Sequence, residues 1–266
     1  MKGFFLSLQS EFYKSRKTLG FWSAILLPLI LILFVSIGFY LHADKFAHNP
    51  PMVLWLFFAG LVLNIMGGLL LPIFVIFLAY SVNSIEHKAD TWKTLFSLPI
   101  AKWSVYSAKF VYALLLLFMT LLLFAIFTIG FGDLLGLLQP KLKFGDYHAE
   151  WMLLQIYFKL FLAALGILSI QFLLSLLWSD FLKPMGIGFV LFIIGVISVG
   201  SEWTYAYLIP YAHPMLALKS MIPHRKGLPP DRIVIDIFTQ DVFVSLAVFA
   251  VVFVAGFFIV QKKSVK

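Results

Sequence analysis

The sequence predicts an all-α membrane protein that crosses the bilayer about six times. Of its 266 residues, 62% are hydrophobic and only 12% are charged, whereas a soluble domain usually carries about 25% charged residues. Its mean hydropathy is +1.00, and apolar runs close to the roughly 20 residues that cross a hydrocarbon core recur along it. The runs are continuously apolar without period-two alternation, which favours helices over a barrel.

The predicted spans follow one another without an internal repeat or a low-complexity linker, so residues 1–266 form a single membrane domain. The second run is longer than one straight crossing needs and contains Gly67, Gly68 and Pro72, which predicts a kinked or tilted helix. The six spans are expected at about residues 19–41, 52–80, 105–129, 155–177, 184–200 and 237–260.

The segment before the first span, residues 1–18, predicts an amphipathic helix that lies in the membrane interface. Phe4, Phe5, Leu8 and Phe12 recur at helical spacing, and the polar and charged residues occupy the other faces. Such a helix buries its apolar face at the boundary between headgroups and acyl chains. A frayed tail before the first span is the alternative interpretation.

Residues 84–98 form the most informative segment between two spans. Asn83 followed by Glu86 matches a capping box, and Pro99 disfavours helix at the residue before it. The predicted helix is about 22 Å long and too charged to span the membrane. We expect it to lie across the cytoplasmic ends of the spans and to offer one face to a partner. A solvated interfacial helix without a partner is the alternative.

The connection at about residues 201–236 mixes prolines with aromatic side chains. Five prolines between residues 210 and 230 argue against another full span, and Trp203, Tyr205 and Tyr207 suit the headgroup belt. This composition predicts short re-entrant or interfacial helices before the last span.

The distribution of basic residues predicts the orientation. Twelve of the 20 Lys and Arg residues fall in segments that are cytoplasmic if both termini are inside, and seven fall in the outer segments. Both termini are therefore predicted to be cytoplasmic, in a multi-pass protein of the cell membrane. The net charge of +8 is typical of loops that face anionic lipid, so no nucleic-acid partner is predicted.

Several chemistries have no support in the sequence. The chain has no cysteine, which excludes disulfides, thiolate metal sites and cysteine nucleophiles. It contains no Gly-Lys pair, and therefore no phosphate-binding loop of the kind that hydrolyses ATP. The six histidines are scattered and form no zinc-binding helix motif. We therefore predict no catalytic, cofactor-binding or metal-binding residues and a chain that is not an enzyme.

Few polar side chains lie inside the predicted spans. Asn64 in the second span and Gln171 and Ser175 in the fourth are interpreted as interhelical hydrogen-bonding groups, with the lining of a substrate path as the alternative. Lys159 is expected near the outer end of the fourth span, where it can snorkel to the headgroups. Acidic residues fall in loops or at span ends, which weakens the case for an ion-coupled transporter.

The order of these segments resembles the permease subunit of a type 2 ABC exporter. The resemblance rests on residues 11–22, which begin Glu-Phe-Tyr-Lys-Ser-Arg-Lys-Thr, and on residues 86–109, which begin Glu-His-Lys-Ala-Asp-Thr-Trp-Lys. The layout is similar over essentially the whole chain. Within that family, the sequence looks like the small permeases linked to bacitracin and lantibiotic self-protection.

The resemblance implies that a separate cytoplasmic ABC ATPase docks on the helix at residues 84–98 and binds the ATP. It also implies a second permease chain, identical or different, that encloses the substrate route together with this one. A non-transporting membrane protein, either an assembly partner or an intramembrane enzyme, is the rival interpretation. The residues expected to contact the ATPase are Glu86, Lys88, Asp90, Thr91, Trp92, Lys93, Leu95 and Phe96.

Overall fold

A computed structural model describes residues 2–89, 91, 100–219 and 235–262 of the chain. The described residues form helices, turns and loops and include no β-strand. Six helical segments are long and apolar enough to cross a membrane, which confirms the predicted fold class. Their bounds are Leu19–Leu41, Pro51–Lys88, Lys102–Leu138, Glu150–Leu177, Leu182–Gly200 and Gln240–Lys262.

The helices are numbered here in chain order. The interface segment is α1, Lys2–Ser15, and the first span is α2, Leu19–Leu41. Thr18 caps α2, because its Oγ1 accepts a hydrogen bond from the amide of Phe21. The remaining helices are α3 (Ala43–Phe46), α4 (Pro51–Ile65), α5 (Leu71–Lys88), α6 (Lys102–Leu138), α7 (Glu150–Leu177), α8 (Leu182–Gly200), α9 (His213–Lys219) and α10 (Gln240–Lys262).

Helix α7 is the most buried of the six spans. In its most apolar stretch 72% of the residues are buried, against 17% for α10, so α10 is peripheral although it packs along α7. Helix α5 also packs on α7, whereas α2 packs on α6. We call the end of the bundle that carries α1 the α1 end, and the other end the opposite end.

The second span contains a change of helix type. A single π-helical stretch, Met66–Leu70, joins α4 to α5. Gly67 in this stretch contacts α9, and a Cβ atom at this position would collide with the side chain of Leu218. The extra residue of a π-turn widens a helix locally, and this stretch faces α9; the predicted kink or tilt of the span stays a prediction.

The opposite end carries structure that the hydropathy pattern did not predict. Helix α6 has 37 residues and is about 55 Å long, so it runs well past the expected end near residue 129. Beyond the span it packs on Trp55, whose indole N–H donates to the Phe144 carbonyl over 2.9 Å. Gly132 lets the indole approach, since a Cβ there would overlap the ring.

After α8, residues 203–219 fold back between the spans, and we call this segment the hairpin. It contains two 3₁₀ turns, Ala206–Leu208 and Pro210–Ala212, followed by α9. The backbone at Tyr211 packs so closely on Gly195 of α8 that a Cβ atom at position 195 would clash with it. Short helices before the last span were predicted in this region. The rest of the predicted region, residues 220–234, lies outside the described residues.

Candidate functional site

Helix α1 turns a polar face toward the bundle. Glu11 and Ser15 are buried and Phe5 is exposed, whereas the partly exposed Phe12 packs edge-on against Tyr112 of α6, with 4.9 Å between the ring centroids. The Ser15 hydroxyl hydrogen-bonds to the hydroxyl of Tyr112 on α6. The helix is therefore attached to the spans by a polar contact and by apolar contacts, since Leu8 also packs against the hydrophobic core.

Four charged side chains meet where α1, α5 and α6 converge, and we call them the charge ring: Glu11, Lys14, Glu86 and Lys109. The ammonium of Lys14 lies 2.7 Å from Oε1 of Glu11 and 2.7 Å from Oε1 of Glu86. The ammonium of Lys109 lies 2.9 Å from Oε2 of Glu11 and 2.5 Å from Oε2 of Glu86. Each carboxylate thus bridges both lysines, and each lysine bridges both carboxylates.

The charge ring is electrically balanced, which makes its burial tolerable. Lys109 is fully buried, and both carboxylates are almost fully buried. Removing such ions from water costs several kcal/mol each, and only close, charge-assisted hydrogen bonds offset that cost. Lys109 also donates to the Val82 carbonyl over 3.1 Å. A neutral, hydrogen-bonded ring therefore joins three helices at one point.

Lys14 is the member of the charge ring nearest to water, with 29% of its side chain exposed. Burial alone would lower the pKa of its ammonium. The negative charges of Glu11 and Glu86 outweigh that effect and hold the pKa above its ordinary value. Lys14 therefore stays charged at every physiological pH.

A second polar contact fixes the same end of α5 to α7. The Asn83 amide donates to Oγ of Ser175 over 2.8 Å, and Ser175 donates to the Ala79 carbonyl over 3.0 Å. One turn further on, Nε2 of His87 donates to the carbonyl of Ser175 over 2.9 Å. The last two turns of α5 are thus held by α7 on one side and by the charge ring on the other.

These contacts correct two sequence predictions. Asn83 does not cap a new helix, because α5 continues through it to Lys88 and its side chain is buried against α7. Glu86 is not on an exposed docking face, since its carboxylate is occupied within the charge ring. Lys88 and Thr91 are exposed, as docking residues must be. The other predicted contacts, Asp90, Trp92, Lys93, Leu95 and Phe96, lie outside the described residues.

The polar residues predicted within the spans have different environments. Ser175 joins α5 and α7, as above, and Gln171 donates to the Tyr211 hydroxyl of the hairpin over 2.6 Å. Asn64 is exposed and donates to the Gly60 carbonyl of its own helix over 2.7 Å, and it makes no interhelical hydrogen bond within the described part of the chain. Lys159 does not snorkel outward, because it is fully buried and donates to the Asp236 carbonyl over 2.7 Å.

The charge ring was not predicted, and Glu86 was placed among the residues expected to contact the ATPase. Glu11 and Lys14 were placed on the polar side of an interface helix, and Lys109 was counted only as a cytoplasmic charge. The available signal was Lys109 itself, which stands seven residues inside a span-forming helix. A charge at such a position is expensive unless it is paired.

The fold and the site define a multi-pass helical membrane protein whose interface helix is joined to its second and third spans by buried charges. The model of the ABC-2 family transporter proteins matches residues 7–195, which is more than half of the chain. The chain belongs to this family. No curated protein and no solved structure matches it. The matched region contains the complete charge ring and ends before the hairpin.

Membership makes the chain a membrane permease component of an ABC transporter, which is a transport subunit and not itself an enzyme. Permeases of this family act with ABC ATPase subunits. Nothing in these comparisons distinguishes the branch linked to bacitracin and lantibiotic self-protection, so that assignment stays a prediction.

Proposed function

We propose that the chain is the permease of an ATP-driven exporter, works as a dimer, and receives its energy from a separate cytoplasmic ATPase that docks on the segment after α5. The observation that carries the proposal is the charge ring. It lies at the base of that segment and ties its entry at Glu86 to its exit at Lys109. Family membership supports the presence of an ATPase partner.

The geometry gives this proposal a physical mechanism. A docked ATPase would push on the segment between α5 and α6, and a flexible base would absorb the push locally. Here both ends of the segment meet in the charge ring, and α1 is attached to it through Glu11 and Lys14. A displacement at the docking site would therefore move α1, α5 and α6 together.

Access to the substrate route would change through α5. This helix leads from the charge ring, past its contacts with α7, to the π-helical stretch that touches the hairpin at Leu218. Both termini are proposed to be cytoplasmic, which places the charge ring on the side where ATP is present. The alternative function, a non-transporting membrane partner, would need no ATPase on this face.

The experiment that tests the proposal compares ATPase binding by single-alanine variants. Trp92→Ala and Leu95→Ala should weaken association with the ATPase by roughly 1–3 kcal/mol each if these residues anchor the interface. Trp22→Ala is the matched control, because Trp22 is an exposed tryptophan at the start of α2, outside the segment. Unchanged ATPase affinity in both segment variants, together with lowered thermal stability, would show that the segment packs on its own spans.

A further inference from the structure

A buried polar cluster lies at the opposite end of the bundle, where α7, α9 and α10 meet. It contains His213 at the start of α9, Asp241 at the start of α10, Thr239 just before it, and Lys159 of α7. His213 and Lys159 are fully buried and Asp241 is 5% exposed. Nothing in the proposed energy coupling uses these residues, and all but Lys159 lie outside the region that the family model matches.

The hydrogen bond to Tyr207 fixes the tautomer of neutral His213. Its Nε2 lies 2.8 Å from the Tyr207 carbonyl. A carbonyl can only accept, so Nε2 carries the proton and Nδ1 presents a lone pair. Within the described residues, Nδ1 of His213 and Oδ2 of Asp241 are buried without a hydrogen-bond partner. The Thr239 hydroxyl is buried without a partner as well, and a proton that adds to His213 adds at Nδ1.

From this arrangement we propose that His213 is a proton-operated latch, which keeps the hairpin packed between the spans when neutral and loosens it when protonated. An imidazolium buried at this position must either be solvated or be paired. Asp241 offers the nearby negative charge, but it also interacts with Lys159. The negative charge of Asp241 is therefore already partly neutralised by Lys159. Opening of the hairpin toward water, which solvates the imidazolium, becomes the favourable response.

The surroundings of α9 contain few other groups that compete for the proton. Helix α9 packs on α7, α8, α10, the π-helical stretch and the second 3₁₀ turn. The titratable groups that these described elements and their flanks bring to it are Lys159, Asp241, Asp236 and Tyr211. The last residue of α9, Lys219, donates to the Val199 carbonyl over 3.1 Å. Burial lowers the pKa of His213, and the hydrogen bond to Tyr207 and the charge of Asp241 oppose this effect without outweighing it, so protonation requires a pH below the ordinary histidine range.

The hairpin is suited to release because few polar contacts hold it. Tyr211 accepts from Gln171 of α7, and Lys219 donates to α8. The remaining contacts among the described residues are apolar packing: Tyr211 and Ala217 lie in the hydrophobic core, and the hairpin approaches Gly195 and Gly67 closely. Protonation of His213 places a charge on the first residue of α9. This residue lies between the hydrogen bond of Tyr211 to Gln171 and that of Lys219 to Val199.

The test is the accessibility of single cysteines in the full-length, otherwise cysteine-free chain, reconstituted in lipid vesicles. Ala206→Cys reports on a buried position of the hairpin and Thr204→Cys on an exposed one. The rate of labelling at residue 206 is divided by the rate at residue 204 to remove the pH dependence of thiol reactivity. Between about pH 7.5 and pH 5 the ratio should rise by up to about tenfold per pH unit, because one proton is involved.

Three variants identify the group that responds. His213→Gln keeps a donor for the Tyr207 carbonyl but cannot be protonated, so its ratio should be independent of pH. Asp241→Asn should move the rise to lower pH, because the negative charge that favours the imidazolium is gone. His148→Gln is the control, since His148 is an exposed histidine at the same end of the bundle, and it should behave like the parent.

A ratio that stays constant with pH in the parent overturns the latch, and it is the result expected if ordered water satisfies Nδ1 of His213 and Oδ2 of Asp241. An equal rise in His213→Gln overturns it as well, because another group would then be responsible.

Discussion

The ammonium of Lys109 lies 2.5 Å from Oε2 of Glu86, and the two residues stand on either side of the segment that joins the second and third spans. Their pairing closes the base of that segment inside the protein. Because Glu11 and Lys14 complete the charge ring, the interface helix belongs to the same rigid unit. Under the proposed function, a force applied to this segment would act on α1, α5 and α6 together.

Charge balance in the ring predicts a specific pattern of stability. Lys109→Met should lower the free energy of unfolding by about 3–5 kcal/mol, because two buried carboxylates would share one lysine. The double variant Glu86→Gln with Lys109→Met removes one charge of each sign and should recover much of the loss. Thermal unfolding in detergent measures both effects.

The control for the charge ring is Lys88→Met, since Lys88 is an exposed lysine within one turn of Glu86. It should unfold at the parental temperature. Equal destabilisation by Lys88→Met and Lys109→Met, or a double variant that loses the sum of the two single effects, would contradict an electrostatically coupled ring.

The pKa shift of Lys14 predicts how the contribution of the ring depends on pH. Its folded pKa is raised above the unfolded value, so its stabilisation is complete below the ordinary lysine pKa of about 10.4. The stabilisation is lost as pH rises through the higher folded pKa. Melting temperatures measured from neutral to strongly alkaline pH should show this loss in the parent. Lys14→Met should lack it; an identical alkaline decline in the variant would assign the decline to other groups.

Two glycines of α8 form a matched pair for testing how closely this helix packs. A Cβ atom at Gly188 would collide with Gln171 and Ile76, whereas one at Gly186 would meet nothing within 4 Å. Gly188→Ala should therefore cost about 1–3 kcal/mol through overpacking, while Gly186→Ala should be neutral or slightly stabilising. Equal melting temperatures for the two variants would show that α8 does not lie against α7 and α5 as described.

The predicted orientation can be tested with single cysteines at two exposed positions. A cysteine in place of Ser10 of α1 should react with a membrane-impermeant thiol reagent only from the cytoplasmic side. A cysteine in place of Ser201, just after α8, should react only from outside. The physical reason is the excess of Lys and Arg in the segments at the α1 end. Labelling of Ser10 from outside in intact cells would reverse the topology and place the charge ring away from ATP.

Much of the fold was predictable because lipid imposes a simple rule on composition. All six spans were found from apolar runs alone, and the helix starting at Leu19 agrees with its predicted first residue. Length was predicted less well, because hydropathy fails where a helix leaves the membrane and packs on other protein. The extension of α6 to Leu138 depends on Trp55 and Phe144, which are distant in sequence.

The candidate site was harder to predict because its members look ordinary in the sequence. Glu86 sits in a charged stretch that reads equally well as an exposed helix face. Only the tertiary structure shows that α5 continues through Asn83 and carries Glu86 to Lys109 and Lys14. Local spacing identifies amphipathic faces, but it does not identify which charges from separate helices will share a buried site.

The most direct test of the central proposal is the subunit composition of the complex purified from its native membrane through a tag on this chain. Native mass spectrometry should find two permease chains, each of 30.2 kDa if both are copies of this one, bound to ABC ATPase subunits. ATP hydrolysis should appear only in fractions that contain those subunits. A chain that is recovered without any ATPase, or that hydrolyses ATP alone, would contradict the account.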